Sequence, residues 1–253
     1  EDEWSGSDVK YYFGGWEDGS MKTGWQKITV HDNEDGKDDD YDYWFNFKSN
    51  GERRAHANAD DTWKSNSRYY HFDERGVMVY QWFETATTNS ASASNWAYFS
   101  SPEDGARVTK GWFKVVAPTE DNSFLESDAT FATKDSNDES ERWYYSDSKD
   151  EGLVVGEIKK IKGKYYGFWP DDGVKGGRML IGLCALEMNK EDGSKIDKVI
   201  MDDMDSDDLD DFMDTYGTKS QEETGIYLYY FGDDADSDGS MKTGSVSVNL
   251  DGD

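Results

Sequence analysis

Gly19-Ser20-Met21-Lys22-Thr23-Gly24-Trp25 is a heptad that returns along the chain, and its return decides the fold. Gly76-Val77-Met78-Val79-Tyr80-Gln81-Trp82 is a second copy. A third, with Ala106 in the first place, ends Val108-Thr109-Lys110-Gly111-Trp112. Weaker copies follow: Gly152-Leu153-Val154 leading to Ile158, Gly177-Arg178-Met179 leading to Leu183, and Gly239-Ser240-Met241-Lys242-Thr243-Gly244 leading to Ser245. A degenerate copy from Gly51 to Ala57 carries Arg53, Arg54 and His56. Recurrence of one short motif is the mark of a repeat architecture.

Upstream of each heptad stands an aromatic cluster: Tyr11-Tyr12-Phe13, Tyr43-Trp44-Phe45, Tyr69-Tyr70-His71-Phe72, Trp96-Ala97-Tyr98-Phe99, Trp143-Tyr144-Tyr145, Tyr165-Tyr166-Gly167-Phe168 and Tyr229-Tyr230-Phe231. Between cluster and heptad lie Asp, Ser, Asn and Gly, as in Glu17-Asp18-Gly19 and Ser237-Asp238-Gly239, residues that let a chain reverse between strands. Each unit therefore reads as strand, turn, aromatic strand, turn. An isolated two-stranded hairpin is marginal in water, so the units must stack and bury their Trp, Tyr and Met rows against one another. The expected fold is all-β, a single solenoid of stacked two-stranded β-hairpins over residues 1–253, with about seven units.

Spacing between heptads is irregular, and the excess falls in polar stretches from His31 to Asp40, Thr85 to Ser94, Pro118 to Glu141 and Glu187 to Glu223. These read as acidic loop insertions projecting from the stack. The last, an insertion over 187–224, has apolar residues at helical spacing in Met201-Asp202-Asp203-Met204 and Leu209-Asp210-Asp211-Phe212-Met213, which suits a short helix near 202–214. Ser245 to Asp253 reads as the first strand of a further unit, or as a cap.

Composition agrees with short strands: 10 Trp, 16 Tyr and 25 Gly stand against 3 Pro, and aliphatic residues are sparse. The formal charge of −28 disfavours nucleic acid and anionic membranes as partners, and favours cationic ones. The same acidity keeps an extracellular β-protein soluble. Cys184 is the only cysteine, so no disulfide framework exists, and its apolar surroundings Leu180 to Leu186 suggest a buried thiol. No run approaches the roughly 18 apolar residues of a membrane helix, so no membrane insertion is expected. No charged-then-apolar leader opens the chain, and Glu1 reads as a mature or trimmed terminus, compatible with removal of a signal peptide.

Thr23-Gly24-Trp25-Gln26-Lys27-Ile28, the Tyr-Tyr-Phe clusters, Asp238 to Gly244, and Ile161-Lys162-Gly163-Lys164-Tyr165-Tyr166 resemble the cell-wall-binding repeat of Gram-positive choline-binding and glucan-binding proteins. The resemblance covers essentially the whole chain. It implies a hairpin solenoid with ligand sites between consecutive hairpins, a secreted or cell-surface location, and as partner a choline-bearing teichoic acid or a glucan or other carbohydrate polymer. In choline binders the Trp opening one strand, an aromatic of the following strand and an aromatic of the next unit surround a trimethylammonium group. Such a group cannot donate hydrogen bonds and is held by π-faces, and a Met thioether can close the cage.

Carried over by position, the resemblance implies one cage of Trp82 with Met78, then Trp96 or Tyr98, then Trp112. A second would use Trp25 with Met21 and Tyr43 or Trp44, and a third Trp112 with Trp143 or Tyr144. Ala57, Ile158, Leu183 and Ser245 replace the Trp elsewhere, so other cages lose a wall. That loss leaves room for a different class of protein, a structural or protein-interaction stalk with degenerate repeats that meets another surface protein.

Asp234-x-Asp236-x-Asp238-Gly239 matches the first half of a calcium loop, but Ser245 stands where the closing Glu belongs, and an acidic hairpin turn explains it better. His31, His56 and His71 have no zinc-site spacing, so no metal and no cofactor are expected. No Gly-x-Ser-x-Gly elbow or Cys-His arrangement is present, and proximity among 55 acidic residues carries no information about glycosidase chemistry. The reading is a non-catalytic binding module.

Overall fold

A computed structural model describes residues 10–32, 38–85, 93–118, 140–148, 152–171 and 176–250. The chain gathers into two compact units, one carrying the strands up to residue 99 and one carrying those from residue 111 onward.

The first unit is three antiparallel hairpins. β1 (Gly24–Asp32) pairs with β2 (Asp39–Phe47), β3 (Trp63–Ser65) with β4 (Arg68–Tyr70), and β5 (Gln81–Glu84) with β6 (Trp96–Phe99). The β3–β4 reversal is a two-residue turn with positive φ at both Asn66 and Ser67, the twist that matches paired strands. In the second unit β7 (Gly111–Val115) pairs with β8 (Arg142–Ser148), which also carries the short β9 (Gly152–Leu153). β10 (Ile158–Ile161) and β11 (Lys164–Gly167) form a hairpin around Lys162 and Gly163, again both at positive φ. β12 (Leu183–Met188) lies between β13 (Ile196–Met201) and β14 (Ile226–Tyr230).

After six of the seven aromatic clusters the chain turns and its heptad adds a one-residue bridge back, while after β8 the short β9 takes that role. Phe13 bridges Met21, Phe47 bridges Arg53, Phe72 bridges Met78, Phe99 bridges Arg107, Phe168 bridges Met179 and Phe231 bridges Met241. The residue at this bridge also ties one hairpin to the preceding one. The Met78 N–H donates to Trp44 O at 2.8 Å and Arg107 N–H to Tyr69 O at 2.9 Å in the first unit. In the second, Met179 N–H donates to Trp143 O at 2.9 Å and Met241 N–H to Tyr165 O at 2.7 Å. The bridge of Arg107 corrects the register of the third heptad. Gly105, not Ala106, takes its first place, and the copy carries one extra residue before Gly111.

Side-chain packing repeats with the same period. A Cβ on Gly51 would lie 2.1 Å from Met21 Sδ, on Gly76 2.5 Å from Arg53 Cδ, on Gly105 2.4 Å from Met78 Sδ, and on Gly239 2.4 Å from Met179 Cε. The first-place Gly of one copy thus receives the third-place side chain of the copy before it. Phe72, Phe99, Phe168 and Phe231 are wholly buried around these contacts.

The stretch 187–223 is folded, which corrects its reading as a polar loop. β13 runs through it, α1 (Ser206–Tyr216) follows with Asp205 and Asp208 in a capping box, and α2 (Gln221–Thr224) leads into β14. Ile196 and Val199 pack with Trp169, Leu180 and Leu186, while Phe212 of the helix packs with Ala185, Met204 and Ile226. Acidic residues on the outer faces hid an ordinary apolar face. Cys184 is buried in this sheet, its thiol pushed up to about 12 by desolvation. Ser245 to Leu250 forms no strand. Most of the expected loops over 85–94 and 118–141 lie outside the described residues.

His56 and His71, apart in sequence, meet with their Nδ1 atoms 3.3 Å apart, and desolvation lowers both pKa values, that of His56 to about 4. Phe72 N–H donates to His56 Nδ1 at 3.2 Å, so the pair serves the hairpin core in its neutral form.

Trp82 is fully buried in the hairpin of β5 and β6. Trp82→Ala should lower the unfolding free energy by about 3–5 kcal/mol, the range for emptying a large aromatic site. Urea denaturation checks this, and a loss below about 1 kcal/mol would show that Trp82 does not pack the core.

Candidate aromatic clefts

In the first unit a cleft of about 260 Å³ is lined by Trp25, Trp44, Tyr70, Met78, Glu103 and Asp104. Trp25 stands at the start of β1, Trp44 lies diagonally from it on β2 opposite Lys27, Tyr70 ends β4 of the next hairpin, and the acids sit in the turn after β6. Trp25 meets Trp44 edge-on, with centroids 6.3 Å apart at 83°, and Tyr70 at 5.1 Å and 65°. Phe72 closes the base at 5.6 Å from Trp25.

The second unit holds the same arrangement in a cleft of about 190 Å³ lined by Trp112, Trp143, Tyr166, Met179 and the turn from Ala235 to Gly239. Trp112 meets Trp143 at 6.2 Å and 87°, Tyr166 at 4.8 Å and 67°, and Phe168 at 5.6 Å. Trp25 corresponds to Trp112, Trp44 to Trp143, Tyr70 to Tyr166 and Met78 to Met179. Both volumes fall below the roughly 300 Å³ at which pockets for drug-sized ligands begin, and suit a small head group.

A carboxylate is fixed beside each pair of indoles. The Trp44 Nε1–H donates to Glu103 at 2.9 Å, and Lys27 Nζ donates to the other oxygen of Glu103 at 2.7 Å. The Trp143 Nε1–H donates to Asp236 at 2.9 Å, and Lys114 Nζ reaches both oxygens of Asp236 at 2.8 and 2.9 Å. Chiefly the lysine and then the indole hold Glu103 and Asp236 below the usual carboxylate range. A second acid in each turn is paired from the middle hairpin: Arg68 with Asp104 at 2.6 Å, and Lys164 with Asp238 at 3.2 Å. Glu103 stands two residues before its turn glycine and Asp236 three before Gly239, so the longer Glu side chain and the longer Asp turn reach the same place.

The structure brings Trp25 together with Trp44 and Met78, and Trp112 with Trp143, while placing the remaining expected residues elsewhere. Trp82 and Trp96 are 0% and 2% exposed and offer no open face, which corrects their reading as cage walls. Tyr98 packs edge-on against Trp82. Tyr43 points into the core and donates to Asp32 at 2.7 Å, and Tyr144 is buried against Phe113, so neither walls a cleft. Met21 sits under Gly51, and Met78 takes the place in the first cleft that Met21 was expected to fill. Sequence reading missed Tyr70, Tyr166, Met179 and the clamped acids. The Tyr-Tyr pairs of the middle hairpins are the available signal, but the acids come from a turn two hairpins away.

Asp234, Asp236 and Asp238 of the half calcium loop turn to different partners: Ser237, Lys114 with Trp143, and Ser240 with Lys242 respectively. They form a stapled acidic turn.

No protein-family model matches the chain, and no curated protein matches it. Among solved structures it is similar to choline binding protein F from Streptococcus pneumoniae, with a TM-score of 0.46 and 17% identity over 97% of this chain and 54% of that one. It is also similar to CbpJ from the same organism, with a TM-score of 0.41, 18% identity and coverage of 98% and 83%. The modular autolysin LytC of Streptococcus pneumoniae aligns with a TM-score of 0.37 and 18% identity over 95% of this chain and 37% of that one. The chain thus spans about half the length of choline binding protein F.

The clamp has a defined pH sense. Its carboxylates have folded pKa values below their unfolded ones, so its contribution is present above the ordinary carboxylate range and is lost as pH falls through the lowered values. Glu103→Gln should therefore melt below the wild type at neutral pH, and the two melting curves should converge well below pH of about 4. A difference that persists unchanged into acid would remove the ionised clamp as its cause.

Proposed function

We infer that this chain is a non-catalytic binding module of a secreted or surface-located protein, and that its two clefts take quaternary ammonium groups such as the choline residues of a cell-wall polymer. The observation that carries this reading is the duplicated constellation itself. Two indoles, a tyrosine ring and a thioether recur with centroid distances matching within about 0.3 Å, each beside a fixed carboxylate. In both copies the indoles stay partly exposed over a buried thioether, which leaves their faces open to a small group.

The chemistry favours a cation over a neutral glucan. Each π-face contributes on the order of 0.5–2 kcal/mol to a trimethylammonium group, which needs no acceptor. A neutral sugar would ask for several hydrogen-bonding groups aimed into the cleft, and Glu103 and Asp236 are already engaged with Lys and Trp. Their negative charge still lies beside the rings and adds to cation attraction. Individually weak sites on one chain become useful by avidity on a polymer that displays the group repeatedly.

Tryptophan fluorescence titrated with choline should show saturable binding at two sites. Trp25→Ala and Trp112→Ala should each remove one, and the neutral carbon isostere dimethylbutanol should bind about tenfold more weakly or worse. Equal response to the isostere would overturn cation recognition. Response to dextran alone would move the chain to glucan binding, and silence to every ligand would leave the stalk reading.

A further inference from the structure

Beside the second cleft the same unit holds a larger cavity of about 560 Å³, and Trp143 and Met179 line both. Its volume is that of a small-molecule site, for which about 300–1,000 Å³ is usual. Trp169 and Ile181 extend its apolar lining. Asp202 and Asp203, which follow β13, and Asp233 and Asp234, which follow β14, bring charge to it, so this compartment exists because the stretch after β12 folds back as sheet.

Its lining carries six carboxylates against three basic side chains, which leaves the cavity negative and selects for a cation. Asp203 shows the crowding. Its backbone has a positive φ of 47°, and its Oδ1 packs where Gly182 has no Cβ, a Cβ there lying only 2.1 Å away. Desolvation, and then the charges of Asp202 and Asp233, hold its carboxyl above the ordinary range. Among the described residues no group of three or more His, Cys, Asp or Glu converges closely enough to hold a metal ion. Charge spread around a wide cavity with an indole in its wall fits an extended organic cation.

We propose that this cavity binds a primary ammonium carried on a pyranose ring, an amino sugar, with the ring against Trp143 and Ile181 and the ammonium between Asp203 and Asp233. The two neighbouring compartments then sort cations by hydrogen bonding. A quaternary ammonium donates nothing and needs only π-faces, whereas a primary ammonium carries three donors and needs acceptors. The cleft offers rings, and the cavity offers carboxylates. A sugar ring is favoured over a bare aliphatic amine because its C–H face can lie on an indole while Arg142 at the wall donates to ring hydroxyls.

Calorimetric titration of the full chain with a glucosamine tetramer, the N-acetylated tetramer and a trilysine peptide tests this. The glucosamine tetramer should bind once per chain, with the acetylated form weaker by about tenfold or more, as expected for loss of a charged hydrogen-bonding group. The Asp203→Asn, Asp233→Asn double variant should lose about tenfold or more in affinity. The charge-matched Asp210→Asn, Asp211→Asn variant, changed on the exposed face of α1, should stay within about twofold. Far-UV circular dichroism confirms that each variant folds. Equal loss in the charge-matched variant would assign the binding to bulk acidity, equal binding of the acetylated tetramer would remove the ammonium, and equal binding of trilysine would reduce the site to plain amine capture. Each result overturns the proposal. Trp112 lines the cleft alone, so Trp112→Ala should abolish choline binding there while leaving the glucosamine titration unchanged, and the two readings fail separately.

Discussion

The contact on which the rest depends is that of a side chain entering the space left by a missing Cβ. Met21 against Gly51, Arg53 against Gly76, Met78 against Gly105 and Met179 against Gly239 are four instances of one arrangement. A methyl group at any of these glycines would lie 2.1–2.5 Å from a neighbour's side chain. Three of the four also have positive φ, which an L side chain adopts at a cost. In these four the heptad pairs Gly with Met, or Arg, because the Gly receives the predecessor's side chain and the Met or Arg enters the successor, whereas Gly152 and Gly177 make no such contact. Interiors are close-packed, so a contact this tight sets the offset between hairpins as firmly as the backbone links from Met78 to Trp44 and Met179 to Trp143.

With the offset fixed, the clefts follow. The Trp that opens one hairpin reaches the tyrosine that ends the next, and the turn after the third hairpin arrives beside the indole of the first. Three successive copies therefore build each cleft, and none could form it alone. The fixed carboxylate shows that place, rather than sequence register, is what repeats. Glu103 and Asp236 stand at different distances from their turn glycines yet both accept from an indole N–H and a lysine. Side-chain length makes up for turn length.

Much of this was legible in the sequence, and the gaps have a common cause. Hairpins, turns and repeat order came from motifs within a few residues of each other, where local chemistry dictates structure. The helix near 202–214 was legible from its spacing and forms at Ser206–Tyr216. The β13 strand was hidden because irregular pairing with β12 buries Ile196 and Val199, three residues apart, so the stretch lacks the alternation that marks a strand. Trp82 and Trp96 hold the same places in their hairpin as Trp25 and Trp44 or Trp112 and Trp143, yet they are buried. A place in the repeat fixes where a ring points from its strand. Exposure depends on what lies over the ring, which comes from residues distant in sequence.

Acidity and recognition act at different ranges. A net charge of −28 attracts any cationic polymer, but at physiological ionic strength exposed charges are screened beyond about 8 Å. Bulk charge can raise the rate of encounter and cannot tell one ammonium from another. Discrimination has to come from groups within contact distance, where an aromatic face rewards a cation that gives no hydrogen bonds and a carboxylate rewards one that does. By tying Glu103 and Asp236 to lysine and indole, the chain keeps negative charge beside the rings while withdrawing those oxygens from competition for donors. On the proposed reading, a cleft so arranged would reward charge without rewarding hydrogen bonding, the combination that separates a quaternary ammonium from an amine that donates.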